Sequence, residues 1–202
     1  MPQVRILSLR PFQKDAAKVM PHPFYLLYTL EEFIMNTKKI TYTAVFTALV
    51  FVLTTFVQIP MPLGGGYINL GEAGIYICAG LCGPFAGAFA GGVGSALADL
   101  STGYAFWALP TLIIKCCEGL IVGLFAKNAI RYFNGKTNIG MIIAGIFMIL
   151  AYFGARFIVV SGNTLEASVV AAGMNVIQIA TGIICADFVF IALNRMHFKV
   201  KM

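Results

Sequence analysis

Residues 83–115 read GPFAGAFAGGVGSALADLSTGYAFWALPTLIIK. Gly83, Gly87, Gly91 and Ser95 recur every fourth residue and therefore stack on one face of a helix, a face that Asp99 continues. Small residues at this spacing let a second helix approach backbone to backbone, the small-xxx-small packing of membrane helices. A short polar turn follows (Ser101, Thr102, Gly103), then an aromatic group (Tyr104, Phe106, Trp107) and a second apolar helix carrying Lys115. An acid and a base thus stand in adjoining apolar helices, where charge is costly and marks a path for substrate or ions.

The composition agrees with a membrane setting. Of 202 residues 59% are hydrophobic and 11% charged, whereas soluble domains carry roughly a quarter charged residues. Apolar runs of about 20 residues, the length that crosses a bilayer, repeat along the chain. Strand-like alternation is missing, which excludes a β-barrel. The predicted fold is an all-α membrane protein with six transmembrane helices. Residues 1–34 mix Arg5, Arg10, Lys14, Asp15 and Lys18 with scattered prolines and read as a non-native or disordered N-terminal extension. Met35 is the expected start, and residues 35–202 form the six-helix domain. The stretch before Met35 lacks the apolar core and cleavage site of a signal peptide.

The spans are expected at about Ile40–Gln58, Gly71 to the Gly83-Pro84 turn, then on to Leu100, Ala105–Ala126, Ile139–Val160 and Glu166–Leu193. A Pro60/Pro62/Gly64-Gly65-Gly66 loop separates the first two and cannot stay helical. Six spans bring both termini to one side. That side holds Lys38, Lys39, Lys127, Arg131, Lys136, Arg195, Lys199 and Lys201, while the opposite loops (59–70, 101–104, 161–165) hold no lysine or arginine. The positive-inside rule places both termini in the cytoplasm. The formal net charge of +6 then reports topology and not a nucleic-acid partner. The five cysteines all lie in apolar runs and read as small packing residues, so no disulfide framework or metal site is expected.

In this orientation polar groups converge on the outer half: Tyr67, Asn69 and Glu72 after the glycine loop, Asp99, Tyr104, Trp107, Lys115, and Asn175 with Gln178 on one face of the last span. Aromatic surfaces stack on a heterocycle, and amides read its nitrogens and oxygens. Each residue has a structural role open to it as well. Lys115 pairing with Asp99 or Glu118 would brace helices, Asn175 and Gln178 would tie helices by hydrogen bonds, and Tyr104 and Trp107 would form an interfacial belt. Arg156 is read as snorkelling or pairing with Glu166. Glu118 and Asp187 fall towards the cytoplasmic half with no binding role. No facing pair of carboxylates is identified. There is no P-loop, HExxH or nucleophile elbow.

From Met35 onward the chain resembles the S components, the membrane-embedded substrate-capture subunits of energy-coupling-factor (ECF) vitamin transporters. The resemblance rests on Ala44-xxx-Ala48, on Tyr67-Ile68-Asn69-Leu70-Gly71-Glu72, on Gly83-Pro84 through Gly94-Ser95-Ala96-Leu97-Ala98-Asp99-Leu100 and Gly103-Tyr104 to Thr111-Leu112-Ile113-Ile114-Lys115 and Glu118-Gly119, and on Asn175-xx-Gln178 with Gly182. Glu72 in place of the family's frequent Asp, Ala108-Leu109-Pro110 before Thr111, and Cys116 depart from it. The nearest branch is the riboflavin type, which includes transporters assigned to hydroxymethylpyrimidine or vitamin B6. The resemblance implies capture of such a vitamin or precursor from outside a bacterial cell membrane. It also implies a T component docking at Ala44 and Ala48, and two ATPases that use ATP, so the chain itself needs no cofactor. Against it stand a stand-alone carrier or channel and an intramembrane enzyme using Asp99, Lys115 and Glu118. The charge sorting predicts that cysteines replacing Lys127 or Arg131 react with impermeant reagents only from the cytoplasmic face of oriented vesicles; reaction from outside overturns the orientation.

Overall fold

The computed structural model describes residues 37–60, 67–126, 135–160 and 164–196. The extension expected over 1–34 and the Gly64–Gly66 loop lie outside these residues. The elements run α1 Thr37–Phe56, β1 Ile59–Pro60, β2 Tyr67–Ile68, α2 Gly71–Cys82, α3 Pro84–Ser101, a 3-10 turn Ala105–Trp107, α4 Ala108–Phe125, α5 Gly135–Val159 and α6 Leu165–Arg195. Large apolar side chains such as Val45, Ile113, Leu150, Ile184 and Phe188 face outward on the helices. So much exposed apolar surface is stable against lipid and not against water.

Six helices are present among the described residues, but they are not six equal spans. Four have the length and hydropathy to cross a bilayer: α1, α4 with its preceding turn, α5 and α6. Helix α2 has 12 residues, about 18 Å at 1.5 Å each, against a hydrocarbon core about 30 Å thick. Pro84 supplies no N–H and opens α3 at its first turn, so α2 ends at Gly83. That short helix is buried along most of its length, including Glu72, Ile75, Tyr76 and Cys78. It lies at the centre of the bundle, packed on α3, α4 and α6.

Just before α2 the chain makes a feature that the apolar pattern did not announce. Ile59–Pro60 pairs antiparallel with Tyr67–Ile68, with Ile59 opposite Ile68 and Pro60 opposite Tyr67.

The small residues of α3 meet α4 and α1, and they are not equivalent. Gly83 has φ +91° and open space where a side chain would go, so it serves the turn and not the packing face assigned to it. A Cβ on Gly87 would meet Ala79 and the Gly119 carbonyl, and one on Gly119 would meet the Gly87 backbone. Gly91 faces the Lys115 carbonyl and Ile75, and Gly94 faces the Thr47 carbonyl on α1. Helices α3 and α4 consequently form the most extensive pair in the bundle. At the far end, Thr164 caps α6 by accepting a hydrogen bond from the Ala167 N–H at 3.2 Å.

Gly119→Val is expected to destabilise the protein by about 3 kcal/mol or more through forced separation of α3 from α4. Gly154→Val on α5, where nothing lies within 4 Å, serves as the matched control. A detergent thermal melt that shifts equally for both would remove the seam.

Candidate functional site

A cavity of about 60 Å³ opens beneath the ribbon, lined by Thr54, Tyr67, Asn69, Ser95, Asp99, Trp107, Thr111, Lys115, Tyr152, Arg156, Ala171, Asn175 and Gln178. Every helix except α2 contributes a wall. The backbone reasons are local. The ribbon turns Tyr67 inward so that it is buried. The close seam with α4 holds Ser95 and Asp99 at the outer end of α3 against the cavity. One turn separates Tyr152 from Arg156 on α5, and Lys115 from Thr111 on α4, so each pair shares a face.

Below the cavity lies a buried ion cluster. The Lys115 ammonium donates to Glu72, to Glu118 Oε2 at 2.9 Å and towards Met148 Sδ at 3.1 Å. It also stands 5.7 Å from the centre of the Tyr152 ring. Tyr76 donates its hydroxyl to Glu118 Oε1 at 2.9 Å. Glu72 and Glu118 are both fully buried. Taking such charges out of water costs several kcal/mol per ion, and only close opposite charges and hydrogen bonds offset it.

Gln178 joins this cluster to the mouth. Its Nε2 donates to Glu72, and its Oε1 accepts from the Asn69 N–H at 3.0 Å. Asn69 Oδ1 in turn accepts from the Gly71 N–H at 2.8 Å, starting α2. An ionised carboxylate only accepts, so Glu72 fixes which way the Gln178 amide points. Gly182, one turn further along α6, allows the approach, since a Cβ there would meet the Glu72 side chain. Tyr67 donates to Asp99 Oδ1 at 2.7 Å. Burial, with the Asp99 charge beside it, pushes the Tyr67 phenol well above its usual range, which keeps it a donor. Tyr152 donates to Thr111 Oγ1 at 3.1 Å.

Of the nine residues singled out for substrate, the structure brings seven to the cavity wall: Tyr67, Asn69, Asp99, Trp107, Lys115, Asn175 and Gln178. The other two stand behind it. Glu72 lies in the ion cluster, and Tyr104 rests its ring 4.9 Å from that of Tyr67, outside the lining. Three expectations are corrected. Lys115 pairs with Glu118, one of its two expected partners, but its second partner is Glu72 and not Asp99. Glu118 therefore belongs to the floor of the site, and two carboxylates do converge, on one ammonium. Arg156 does not snorkel: it is buried and lines the cavity, while Glu166 is exposed.

Ser95, assigned to helix packing, also lines the cavity, as do Thr54, Thr111, Tyr152 and Ala171. A tyrosine one turn before the only arginine of an apolar helix was the available signal for Tyr152. On the outer side of α1 and α3, Ala44, Thr47, Ala48, Phe51, Phe89 and Leu97 line an open apolar groove.

The sequence model of the family described as "ECF-type riboflavin transporter, S component" matches residues 34–195. The chain belongs to this family. It is an S component, the substrate-binding membrane subunit of an ECF transporter, and the intramembrane-enzyme reading gives way. Among its relatives, an "Uncharacterized protein in gap 3'region" of Pyrococcus woesei is 48% identical over 109 residues, 54% of this chain and 72% of that one. The "Thiamine precursor transporter HmpT" of Lactococcus lactis subsp. cremoris is 31% identical over 115 residues, 56% of this chain and 68% of that one. A solved structure reported as "Structure and mechanism of the S component of a bacterial ECF transporter" superposes with a TM-score of 0.60 at 22% identity, covering 79% of this chain and 95% of that chain. At that identity the superposition establishes the S-component fold.

Replacing Lys115 by Met leaves Glu72 and Glu118 buried without a counter-charge and is expected to cost about 3–5 kcal/mol. Adding Glu72→Gln and Glu118→Gln to Lys115→Met is expected to restore most of that loss. A single variant as stable as the triple one, in the same melt, would show that the cluster is not an ion group at all.

Proposed function

We propose that this S component captures a water-soluble vitamin or vitamin precursor, built on a flavin or on a pyrimidine or pyridine ring, from outside the cell. The observation that carries the reading is the cavity under the β1–β2 ribbon, where Tyr67, Asn69, Asp99, Trp107, Lys115, Asn175 and Gln178 converge. Apolar and aromatic walls with a few polar groups are the usual make-up of a small-molecule site. The relative named as a thiamine precursor transporter and the family's riboflavin description both support a ring compound. Asn69 and Tyr67 tie the ribbon to Gln178 and Asp99, so ribbon and cargo share the same partners and the ribbon acts as a lid.

The charge sorting supports six crossings of the cell membrane with both termini in the cytoplasm and the cavity open outward. The buried α2 crosses within the protein and not against lipid. A T component docks on the groove of α1 and α3, where Ala44 and Ala48 are exposed and small enough for backbone contact. Two ATPases then supply the energy, and the S component needs no cofactor of its own.

Equilibrium binding in detergent across a panel of vitamins and precursors, without ATPase present, is expected to give one ligand with Kd below about 1 µM, equivalent to roughly −8 kcal/mol. A panel with no ligand in that range overturns the reading.

A further inference from the structure

Glycine inside a helix costs stability relative to alanine, because it gives up more conformational freedom on folding. In membrane helices that cost is ordinarily offset by close packing at the glycine. The helical glycines here follow this rule with two exceptions. A Cβ on Gly71, Gly80, Gly87, Gly119, Gly123 or Gly182 would come within 3.0 Å of a neighbouring atom. The same holds for every other helical glycine whose surroundings are described, save Gly154 on α5 and Gly173 on α6. At those two, nothing among the described residues lies within 4 Å, and both are exposed. Packing therefore gives no reason for either glycine.

Their positions do give one. Gly154 falls midway between Tyr152 and Arg156, and Gly173 falls midway between Ala171 and Asn175; all four flanking residues line the cavity. At about 100° per residue, the positions two before and two after a helical residue share a face, and that residue points away from them. Each glycine thus stands on the back of its helix, directly behind a pair of wall residues. The two helices are consecutive and packed on each other. Gly154 lies roughly 8 Å from the end of α5 and Gly173 roughly 12 Å from the start of α6, at 1.5 Å per residue. Beyond the glycines, Phe157, Ile158, Leu165 and Val169 are exposed. Segments that bury so little of their apolar surface are those that open locally.

Resting on the transport reading above, we propose that Gly154 and Gly173 are paired bending points, at which the end of α5 and the start of α6 swing outward to pass cargo and swing back to hold it. Glycine has no Cβ to hinder a change in φ and ψ, and small residues near the ends of elements are where such motions are absorbed. The hydrogen bonds divide accordingly. A bend at these points moves Arg156 and Ala171. It leaves on the fixed side Tyr152, with its bond to Thr111, and Gln178, with its bonds to Asn69 and Glu72. The opposite walls have no such freedom. Helices α3 and α4 touch by backbone at Gly87 and Gly119, and α2 is tied to α4 through Glu72 and Lys115.

The test combines amide hydrogen exchange with stopped-flow binding, on the full chain in detergent. Riboflavin and 4-amino-5-hydroxymethyl-2-methylpyrimidine are the probes, and Trp107, the chain's one tryptophan, lines the cavity and supplies the signal. Gly154→Ala and Gly173→Ala each place a Cβ in open space, so neither disturbs the packing. Each is expected to slow amide exchange in its own segment, 152–159 or 165–175, about fivefold, as the helix propensities of the two residues differ. In the double variant, association and dissociation of whichever compound binds are both expected to slow about tenfold, with Kd held within about threefold, because one bend serves entry and exit. Ala180→Gly, at an exposed position on the fixed side of α6, is the control and is expected to lower the melting temperature without changing either rate. Unchanged rates in the double variant, or equal changes in Ala180→Gly, overturn the proposal and leave the transport reading standing. If neither compound binds, it is the transport reading that fails, and exchange alone decides the bending points: segments that exchange as slowly in the unaltered protein as in the double variant overturn them.

Discussion

A lysine held among two carboxylates inside a membrane helix bundle is the constraint on which the rest depends. Lys115, Glu72 and Glu118 come from α4 and α2, and all three are buried. Such a cluster is tolerable only if the helices that carry it come close and stay in register. The glycines supply the closeness. Gly87 and Gly119 let α3 and α4 touch by backbone, and Gly182 lets α6 reach Glu72. The hydrophobic effect does little here, since lipid is as apolar as the helix interior, so packing at small residues and polar contacts carry the association.

The same cluster sets the chemistry above it. Glu72 orients Gln178, Gln178 holds the backbone of Asn69, and Asn69 starts α2 and ends the ribbon. The cavity floor and the ribbon are therefore one hydrogen-bonded unit. A protein that must hold cargo without hydrolysing anything needs this arrangement, because fixed donors and acceptors read a ligand without being consumed. An S component has no energy source of its own. Its apolar groove on α1 and α3 shares no residue with the cavity lining, although both helices contribute to each.

Much of the site was legible because charged and amide side chains are rare in apolar helices, so each one draws notice. Asp99, Lys115, Asn175 and Gln178 stood out in this way, and they share a cavity. Arg156 also stood out, but its depth was misjudged, since a long side chain near a helix end reads equally as snorkelling or as buried. Thr54, Thr111 and Tyr152 were missed because threonine hydroxyls ordinarily bond back to their own helix, as Thr43 and Thr47 do here. A lone tyrosine in an apolar span, likewise, carries no direction in sequence.

The sequence by itself determined that this chain is a helical membrane protein, where its helices break, and which family it resembles. Those properties follow from run length, from Gly83-Pro84 and from small residues at fixed spacing, all of which are local. Only the tertiary structure decided who pairs with whom: Lys115 with Glu72, 43 positions away, and Gln178 with Glu72, 106 positions away. It also decided that the 12-residue α2 lies at the centre of the bundle and that Ile59–Pro60 pairs with Tyr67–Ile68 as a β-ribbon. The physical reason is that periodicity records which face of a helix is apolar but not which neighbour that face meets. In a bundle held by close contact and buried charge, the neighbour is what places the site.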